Sequence, residues 1–233
     1  MSDPLDLIDF ATLLAEEERE IQAAVARFLA DRVRPHLPEW SDNAHFAREL
    51  APELGALGLL GMHLDGVRLP AEARLPGAKG LRGPLSCLNE ARFGILFGAV
   101  GAGRDSLQAA LRYADSRVQF DRPISGFQPT QRKFADMALA LGNSALLAVH
   151  LGRLKDGGRL RPEQVSVGKL NNVREALAIA RECRTVLGAN GISLEYSPIR
   201  HANNLESVLT YEGTSEIHTL VVGQALTGQA AYR

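Results

Sequence analysis

The sequence predicts an all-α fold, in which a short N-terminal helical pair precedes a C-terminal four-helix bundle, with little or no β structure. Long stretches carry apolar residues at helical spacing. The stretches in the second half of the chain are separated by short connections, which are typical of an antiparallel bundle. Residues that favour a strand occur only near 67–69.

The N-terminal helical segment is predicted over residues 1–66. Its first helix covers residues 16–33, and Pro35 and Pro38 end it because proline cannot continue a helix. Its second helix stops in the glycine-punctuated stretch from Leu57 to Gly61. The apolar positions that define the two helices are Ile21, Val25, Phe28, Leu29 and Val33 in the first, and Phe46, Leu50, Leu54 and Leu57 in the second.

An extended linker is predicted over residues 67–84, because the segment from Asp65 to Pro84 holds four glycines and three prolines and has no helical period. The bundle domain then covers residues 85–233. Its first helix is a run rich in small residues from Cys87 to Tyr113, and its last begins after Thr214, which suits an N-cap. The two helices between them are marked by Phe134, Met137, Leu141, Ala145 and Ala148, and by Val165, Ala176, Leu177, Ala180, Cys183 and Leu187.

Composition excludes several classes of function. The chain has 233 residues, 45% of them apolar, and a net charge of −1 with interspersed signs, so we expect neither a nucleic-acid nor a membrane partner.

Cys87 and Cys183 stand alone in apolar surroundings, which predicts buried free thiols and a cytoplasmic location. The six histidines show no ligand spacing, so no metal site is predicted. No motif for a covalent nucleophile occurs either.

Two turns of the bundle domain carry groups that suit a ligand. Arg117 and Phe120 lie in the turn after the first bundle helix, and Gln128 begins the next helix. A guanidinium group beside a helix N-terminus can hold a phosphate, although local physics favours a merely solvated turn. The second turn, residues 187–192, is a glycine-rich helix exit in which Gly191 is predicted to supply a left-handed cap.

Glu212 precedes a glycine and two hydroxyl residues. A carboxylate on such a turn can project into a cleft, where partial burial would favour its use as a base. The alternative is a solvated acid beside a helix N-terminus, which local physics favours slightly. The residues by themselves leave both interpretations open.

The order and spacing of these turns resemble the C-terminal half of an acyl-CoA dehydrogenase. The resemblance is closest to the glutaryl-CoA dehydrogenase branch, through residues 84–92, 151–156 and 199–206. It extends from Val67 to the C-terminus, and residues 1–66 resemble the opening helices of the same family. The family landmarks are Arg117-x-x-Phe120 with Pro123-Ile124 and Gln128, then Leu187-Gly188-Ala189-Asn190-Gly191, then Tyr211-Glu212-Gly213-Thr214.

The resemblance implies a flavoenzyme that removes an α-proton from an acyl-CoA while the β-hydride passes to FAD. In the glutaryl branch the product then loses carbon dioxide. Glu212 matches the catalytic base. Implied FAD contacts, several of them across a subunit interface, are Arg117, Phe120, Gln128, Thr185, Val186, Leu187, Gly188, Ala189, Thr214 and Glu216. Implied substrate contacts are Leu85, Ser86, Cys87, Leu88, Asn89, Glu90, Ala91, Arg92 and Gly213.

The chain departs from this family in length. Gly66 leads directly into Val67, so the middle β domain and part of the N-terminal helical domain have no counterpart. The missing part normally covers the flavin and, in the glutaryl branch, carries the arginine that pairs with the distal carboxylate of the substrate. The implied protein is a homodimer or homotetramer that passes electrons to an electron-transfer flavoprotein. A non-catalytic helical scaffold or pseudoenzyme, and a binding module for CoA thioesters, are the alternative hypotheses.

Overall fold

The computed structural model describes residues 3–45, 47–50 and 82–231. These residues are predominantly helical, as predicted. Within these described ranges, the α-helices are α1 (Glu16–Arg32), α2 (Leu37–Asp42), α3 (Arg82–Ser116), α4 (Gln128–Asp156), α5 (Pro162–Val186), α6 (Ser197–Thr210) and α7 (Ser215–Thr227). The short 3-10 helices are Pro4–Ile8, Phe10–Leu13, Arg34–His36, Arg48–Leu50, Ile124–Gly126 and Gly188–Ile192, and the strands are β1 (Val118–Gln119) and β2 (Arg122–Pro123).

The chain forms two compact units, of which the smaller covers Glu16–Cys87. Helix α1 ends at Arg32, just before the two prolines that were predicted to end it. The short helix α2 follows, with a proline in its first turn. Most of the second predicted N-terminal helix lies outside the described residues, as do the predicted strand near 67–69 and most of the predicted linker.

The larger unit combines Met1–Ala15 with Leu88–Arg233. Leu5 is buried in the bundle core, and the carboxylate of Asp3 pairs with Arg104 of α3. Residues 3–15 therefore pack with the bundle, although residues 1–66 were predicted to form one N-terminal helical segment. Two 3-10 turns of four or five residues are too short to show a periodic pattern that would reveal this docking.

The bundle core lies between α3, α4 and α5, whose buried apolar side chains form three adjoining clusters. Helix α6 adds Ala202 and Leu205 to the second cluster. By length and hydropathy alone, α4 would suit a membrane span, but its residues Met137, Leu141 and Ala145 are buried in this core. Packing within the bundle accounts for these buried positions, while Leu139 and Leu146 of the same helix are exposed.

The bundle differs from the sequence prediction in three local features. Helix α3 begins at Arg82, inside the predicted linker, because proline is tolerated in a first helical turn and Pro84 falls there. Helix α6 was not predicted and adds a fifth helix. Between α3 and α4 the chain forms an antiparallel hairpin, in which Val118 pairs with Pro123. Its central residues are Phe and Asp, not the Asn-Gly or Asp-Gly pair that usually marks such a turn.

The two cysteines differ in their surroundings. Cys183 is buried in the core, with its Sγ 3.5 Å from Sδ of Met137, and burial raises the pKa of its thiol. Cys87 is exposed near the start of α3, so the prediction that both thiols are buried is wrong for Cys87.

Candidate active site

The loop between α6 and α7 holds Glu212 in an uncommon backbone conformation. Its φ is 56°, and that of Gly213 is 90°, so two successive residues lie in the left-handed region. Thr214 then begins α7 as predicted, because its side-chain oxygen accepts a hydrogen bond from the N–H of Ile217 at 3.3 Å. Residues other than glycine rarely adopt a left-handed backbone conformation in proteins, and those that do are concentrated at functional sites.

Three successive carbonyls of this loop accept hydrogen bonds from three different helices. Nζ of Lys169 in α5 donates to the carbonyls of Tyr211 and Gly213, the latter at 2.6 Å. Nε of Arg92 in α3 donates to the carbonyl of Glu212 at 3.0 Å, and Nε2 of His218 in α7 lies 3.2 Å from the same oxygen. Carbonyls that follow the last turn of a helix have no helical donor, so these side chains supply one.

The ammonium group of Lys169 is almost completely buried, with 2% of the residue exposed. Burial and, to a lesser extent, the nearby charge of Arg92 lower the pKa of Lys169, the carboxylate of Glu212 opposes them, and the resulting pKa is about 8. A buried cation needs hydrogen-bond acceptors and a counter-charge to remain charged. Here the loop supplies both.

The imidazole of His218 is also buried, with 1% of the residue exposed. Burial, together with the charges of Lys169 and Arg92, lowers its pKa to about 4, so the ring is neutral at pH 7. Because a carbonyl can only accept a hydrogen bond, Nε2 carries the proton and donates a hydrogen bond to the backbone carbonyl of Glu212. Nδ1 then accepts from the hydroxyl of Ser166, whose oxygen is 3.1 Å away.

His218 also explains why residue 213 is a glycine. A Cβ at Gly213 would lie 2.9 Å from Nε2 of His218, and its φ of 90° is itself unfavourable for other residues. The loop and the histidine therefore pack too closely for a side chain at this position.

We expect His218 to make folding sensitive to acid. As the pH falls from 6.5 to about 4, the unfolded chain binds a proton at this histidine before the folded protein does. The stability that His218 contributes above pH 6.5 is therefore lost across this window, by about 3 kcal/mol of unfolding free energy. Urea denaturation at several pH values will measure the loss, and His218→Gln should remove it.

The matched control for this experiment is His150→Gln, which alters an exposed histidine of α4. Its curve of stability against pH should follow that of the wild type. A His218→Gln curve that kept the full wild-type slope between pH 6.5 and 4 would show that this histidine does not cause it.

The carboxylate of Glu212 is available for a ligand. Within the described part of the chain, its Oε2 is buried and has no hydrogen-bond partner. Its charge is close enough to raise the pKa of Tyr211, an effect second to that of burial. A buried acceptor without a donor is rare in native proteins and is satisfied when a ligand or water occupies the site.

The predicted substrate stretch, residues 85–92, forms the first turns of α3, and only part of it faces Glu212. Arg92 binds the Glu212 loop and also donates to Oδ1 of Asn89 at 3.1 Å. Glu90 instead pairs with Lys155 of α4. Successive residues of a helix point in different directions, so Arg92 reaches the Glu212 loop while Glu90 faces α4. Of the remaining residues, Ser86, Cys87, Leu88 and Ala91 are exposed.

The predicted cofactor residues of the hairpin are exposed at one end of the bundle. Arg117 and Gln128 face solvent beside the N-terminus of α4, and the ring of Phe120 is 88% exposed. Phe120 and Asp121 have φ values of 50° and 63°, and a bulky residue rarely adopts such a conformation. The guanidinium of Arg122 stacks on the ring of Phe127, 4.1 Å from its centre. Positive charge, an exposed ring and free helical N–H groups suit a phosphate-containing cofactor.

The stretch from Thr185 to Ala189 lies at the same end of the bundle, because Nδ2 of Asn190 donates to the hydroxyl of Tyr113 in the last turns of α3, at 3.1 Å. Thr185 and Ala189 are exposed, and Val186 is half-buried. Leu187 is buried in the core, and its N–H binds the carbonyl of Cys183.

The left-handed cap of α5 was assigned to the wrong glycine. The structure places it at Gly188, whose φ is 59°. Helix α5 ends at Val186, so residue 188 follows the C-cap, the usual position for a left-handed glycine. Gly191 is needed for another reason, since a Cβ there would lie 2.1 Å from the carbonyl oxygen of Arg184.

Thr214 and Glu216, the remaining predicted cofactor residues, lie beside the catalytic candidate. Hydrogen bonds from the Thr214 hydroxyl and from its own backbone N–H lower the pKa of Glu216. Their loop is held by Lys169, and Lys169 and Thr185 are sixteen residues apart in α5, or about 24 Å. One chain therefore presents its predicted cofactor residues as two separate groups.

Lys169, His218 and Ser166 were missed by the sequence analysis. The signal for Lys169 was a lone lysine among the apolar positions of α5, where Val165 and Val173 are buried. His218 was missed because the histidines were considered only as metal ligands. Among residues 3–45, 47–50 and 82–231, no cluster of three His, Cys, Asp or Glu side chains could hold a metal.

Comparison with known protein families defines the class to which this fold and site belong. The acyl-CoA dehydrogenase C-terminal domain matches residues 78–227, and the N-terminal domain of the same family matches residues 15–67. The chain therefore belongs to the acyl-CoA dehydrogenase family, and the predicted family and fold class are confirmed.

Individual relatives differ in how much of their length they share with this chain. The mitochondrial short-chain specific acyl-CoA dehydrogenase of Bos taurus is 35% identical over 157 residues, which are 66% of this chain and 38% of that protein. A probable acyl-CoA dehydrogenase of Bacillus subtilis is 34% identical over 165 residues, 70% of this chain and 43% of that protein. The chain thus spans only about two fifths of these curated relatives, as expected if a middle domain has no counterpart.

A solved structure matches the whole chain. The crystal structure of a glutaryl-CoA dehydrogenase from Mycobacterium smegmatis in complex with FADH2 superimposes with a TM-score of 0.94 at 37% identity, and each chain covers 100% of the other. The butyryl-CoA dehydrogenase of Megasphaera elsdenii gives a TM-score of 0.61 at 28% identity, over 64% of this chain and 40% of that one. The match to the Mycobacterium smegmatis structure therefore extends over the full length of both chains, whereas the match to the Megasphaera elsdenii structure does not.

Proposed function

We propose that this chain is an acyl-CoA dehydrogenase of the glutaryl-CoA type, in which Glu212 removes the α-proton of an acyl-CoA thioester. The observation that carries this proposal is the buried Oε2 of Glu212, which has no hydrogen-bond partner in the described part of the chain and lies on a loop held by three helices. A general base needs a positioned carboxylate with a free oxygen.

The chain's own residues would support this proton transfer. Oε2 of Glu212 accepts the α-proton, and negative charge then develops on the thioester. Arg92 and Lys169 place two cations against the loop on which this carboxylate lies. Fixed positive charge near a developing negative charge lowers the barrier, because the protein does not have to reorganise during the reaction. With a glutaryl substrate, we propose that the unsaturated product then loses carbon dioxide.

FAD, when bound, would supply the acceptor for the hydride that leaves the β-carbon. Arg117 and the N-terminus of α4 would hold its phosphates, and Thr214 and Glu216 would hold the part nearest the base. Lys169, which holds the loop of Thr214 and Glu216, and Thr185, in the other group, are about 24 Å apart along α5. We therefore propose that the site is completed in a homodimer or homotetramer, in which the two groups come from different copies. We further propose a cytoplasmic protein that passes its electrons to an electron-transfer flavoprotein.

We expect the purified protein to retain flavin absorbance through gel filtration, or to take up added FAD, and to elute as a dimer or larger. Arg117→Gln should weaken FAD binding about tenfold or more, because it removes a charge-assisted hydrogen bond to phosphate. Titration of the flavin-free protein with FAD will measure the affinity. Arg159→Gln, at an exposed position between α4 and α5, is the control and should bind as the wild type does.

Substrate specificity can be tested on the same preparation. Anaerobic addition of glutaryl-CoA should bleach the flavin faster than butyryl-CoA does. Preferential bleaching by butyryl-CoA would contradict the glutaryl assignment but not the dehydrogenase assignment. A colourless protein that took up no FAD would contradict both.

A non-catalytic scaffold is the second candidate function. The observation that favours it is the separation of the predicted cofactor residues into two groups, together with the match to only 38% of the bovine relative. A colourless protein that still self-associates, and takes up no FAD, would support the scaffold. If that protein nevertheless bound CoA thioesters, it would be a binding module without redox chemistry.

A further inference from the structure

We propose that Lys169 is a positioning residue for Glu212, and that by holding the carbonyls on either side of this glutamate its ammonium group sets the direction of the carboxylate. The inference rests on the proposed function, in which Glu212 is the base. Lys169 does not itself touch the reacting atoms in this proposal. It acts through the loop backbone.

The geometry supports this role because Lys169 contacts both neighbours of Glu212. Its Nζ donates to the carbonyl of Tyr211, which precedes the glutamate, and to that of Gly213, which follows it. Rotation of either peptide plane would turn the Glu212 side chain and break one of these bonds. Nothing in the intrinsic preference of glutamate holds it at a φ of 56°, so tertiary contacts must do so.

Lys169 is distinguished from the other two donors because it binds the carbonyls on both sides of Glu212 and carries a positive charge while almost completely buried. Arg92 binds the carbonyl of Glu212 itself, and Nε2 of His218 lies 3.2 Å from the same oxygen. Lys169 is 2% exposed, so it has no alternative position in solvent. Hydrogen bonds from a charged donor are stronger than those from a neutral one, so the hold on the loop is strongest while Lys169 is protonated.

Charged and titratable groups surround this ammonium on several elements. Arg92 approaches from α3, Tyr211 and Glu212 from the loop, and His218 from α7. Of the two that act on its pKa, Arg92 adds to the effect of burial and Glu212 opposes it, which leaves the pKa at about 8. The hydrogen bonds from Lys169 to the loop carbonyls should therefore weaken as the pH rises through about 8, because the ammonium group loses its charge.

The first test measures the loop directly and needs no flavin. Lys169→Met removes both hydrogen bonds while keeping a side chain of similar length. We expect amide hydrogen exchange in a peptide spanning residues 205–218 to become about tenfold faster or more. A peptide from α4, residues 137–151, should exchange as in the wild type. The matched control is Lys155→Met, which alters a lysine paired with Glu90 on another part of the bundle. Unchanged exchange in the loop peptide would overturn the proposal.

The second test measures the consequence for the reaction. Per bound flavin, Lys169→Met should bleach about 10²-fold more slowly with acyl-CoA, because a displacement of about 1 Å in a catalytic group has this effect. KM, measured as the acyl-CoA concentration that gives half of the maximal bleaching rate, should change little. The wild-type rate should decline above a pH of about 8, and this decline should be absent from the variant. Lys169→Arg, whose guanidinium can donate to two carbonyls, should recover part of the rate.

The outcomes separate this inference from the proposed function. A protein that binds no flavin contradicts the proposed function, but the exchange experiment still decides whether Lys169 holds the loop. A changed KM at an unchanged bleaching rate, or a decline above pH 8 that persists in Lys169→Met, would overturn the positioning role. If Lys169→Met does not fold, the wild-type exchange profile decides: loop protection that stays constant as the pH rises through 8 would overturn the proposal.

Discussion

Replacement of Glu212 by glutamine is expected to slow the acyl-CoA-dependent bleaching of bound flavin by about 10³-fold. The amide has nearly the shape of the carboxylate but cannot accept the α-proton. The hydrogen bonds that hold the loop are made to backbone carbonyls and not to this side chain. Because the carboxylate also helps to keep Lys169 charged, the rates are compared at a pH well below 8, where the loop should be preserved. The rate is measured as the loss of flavin absorbance after anaerobic mixing with glutaryl-CoA.

The control for this prediction is Glu195→Gln, which alters an exposed carboxylate before α6. It should bleach at the wild-type rate. The Glu212→Gln protein should carry as much FAD as the wild type, so that the rate is compared per bound flavin. If this protein bleached normally, Glu212 could not be the base, and the carboxylate without a partner would need another explanation.

Gly191→Ala is expected to lower the free energy of unfolding by about 3 kcal/mol. The added Cβ would lie 2.1 Å from the carbonyl oxygen of Arg184 and 2.9 Å from its carbonyl carbon. These are backbone atoms in the last turn of α5, so a side-chain rotation cannot relieve the clash. Either the end of α5 or the 3-10 helix Gly188–Ile192 must move. Urea denaturation followed by circular dichroism will measure the change.

Gly188→Ala is the matched control, three residues earlier in the same connection. Its Cβ would meet no described atom within 4 Å, but its φ is 59°. A left-handed alanine costs about 1 kcal/mol, so this variant should be destabilised less than Gly191→Ala. If Gly188→Ala were instead the more destabilising variant, the predicted clash between a Cβ at residue 191 and the carbonyl of Arg184 would be contradicted.

The helices of the bundle could be predicted because their signals are local. Apolar spacing marked the core positions of α4 and α5, and Thr214 marked the start of α7. Helix α6 was missed although Ala202 and Leu205 are buried in it. It has only fourteen residues and begins with a proline at its second position, so its apolar pattern is short.

The hairpin and the docking of the N-terminal segment could not be predicted in this way. The hairpin turn has Phe120 and Asp121 at positions that usually require glycine or asparagine. The pairing of Asp3 with Arg104 joins residues that are 101 positions apart, and no local pattern reports such a contact. Both features depend on neighbours that are distant in the sequence.

The same distinction applies to the candidate site. Glu212 could be singled out from the sequence, because a carboxylate beside glycine in a family landmark is visible there. Arg92 was included in a stretch of eight residues, of which only part faces the loop. Lys169 and His218 belonged to no motif, and their role appeared only when α5 and α7 were placed against the α6–α7 loop.

The sequence by itself determined the all-α class, the family and the candidate base, because helical periodicity and short motifs are properties of neighbouring residues. Only the tertiary structure decided what holds that base and where the cofactor residues lie. Helices α3, α5 and α7 bring Arg92, Lys169 and His218 to one loop, although these residues are 120, 43 and 6 positions from Glu212. The same packing separates Thr185 from Thr214. Distances of this kind are set by how helices pack, which a linear pattern does not record.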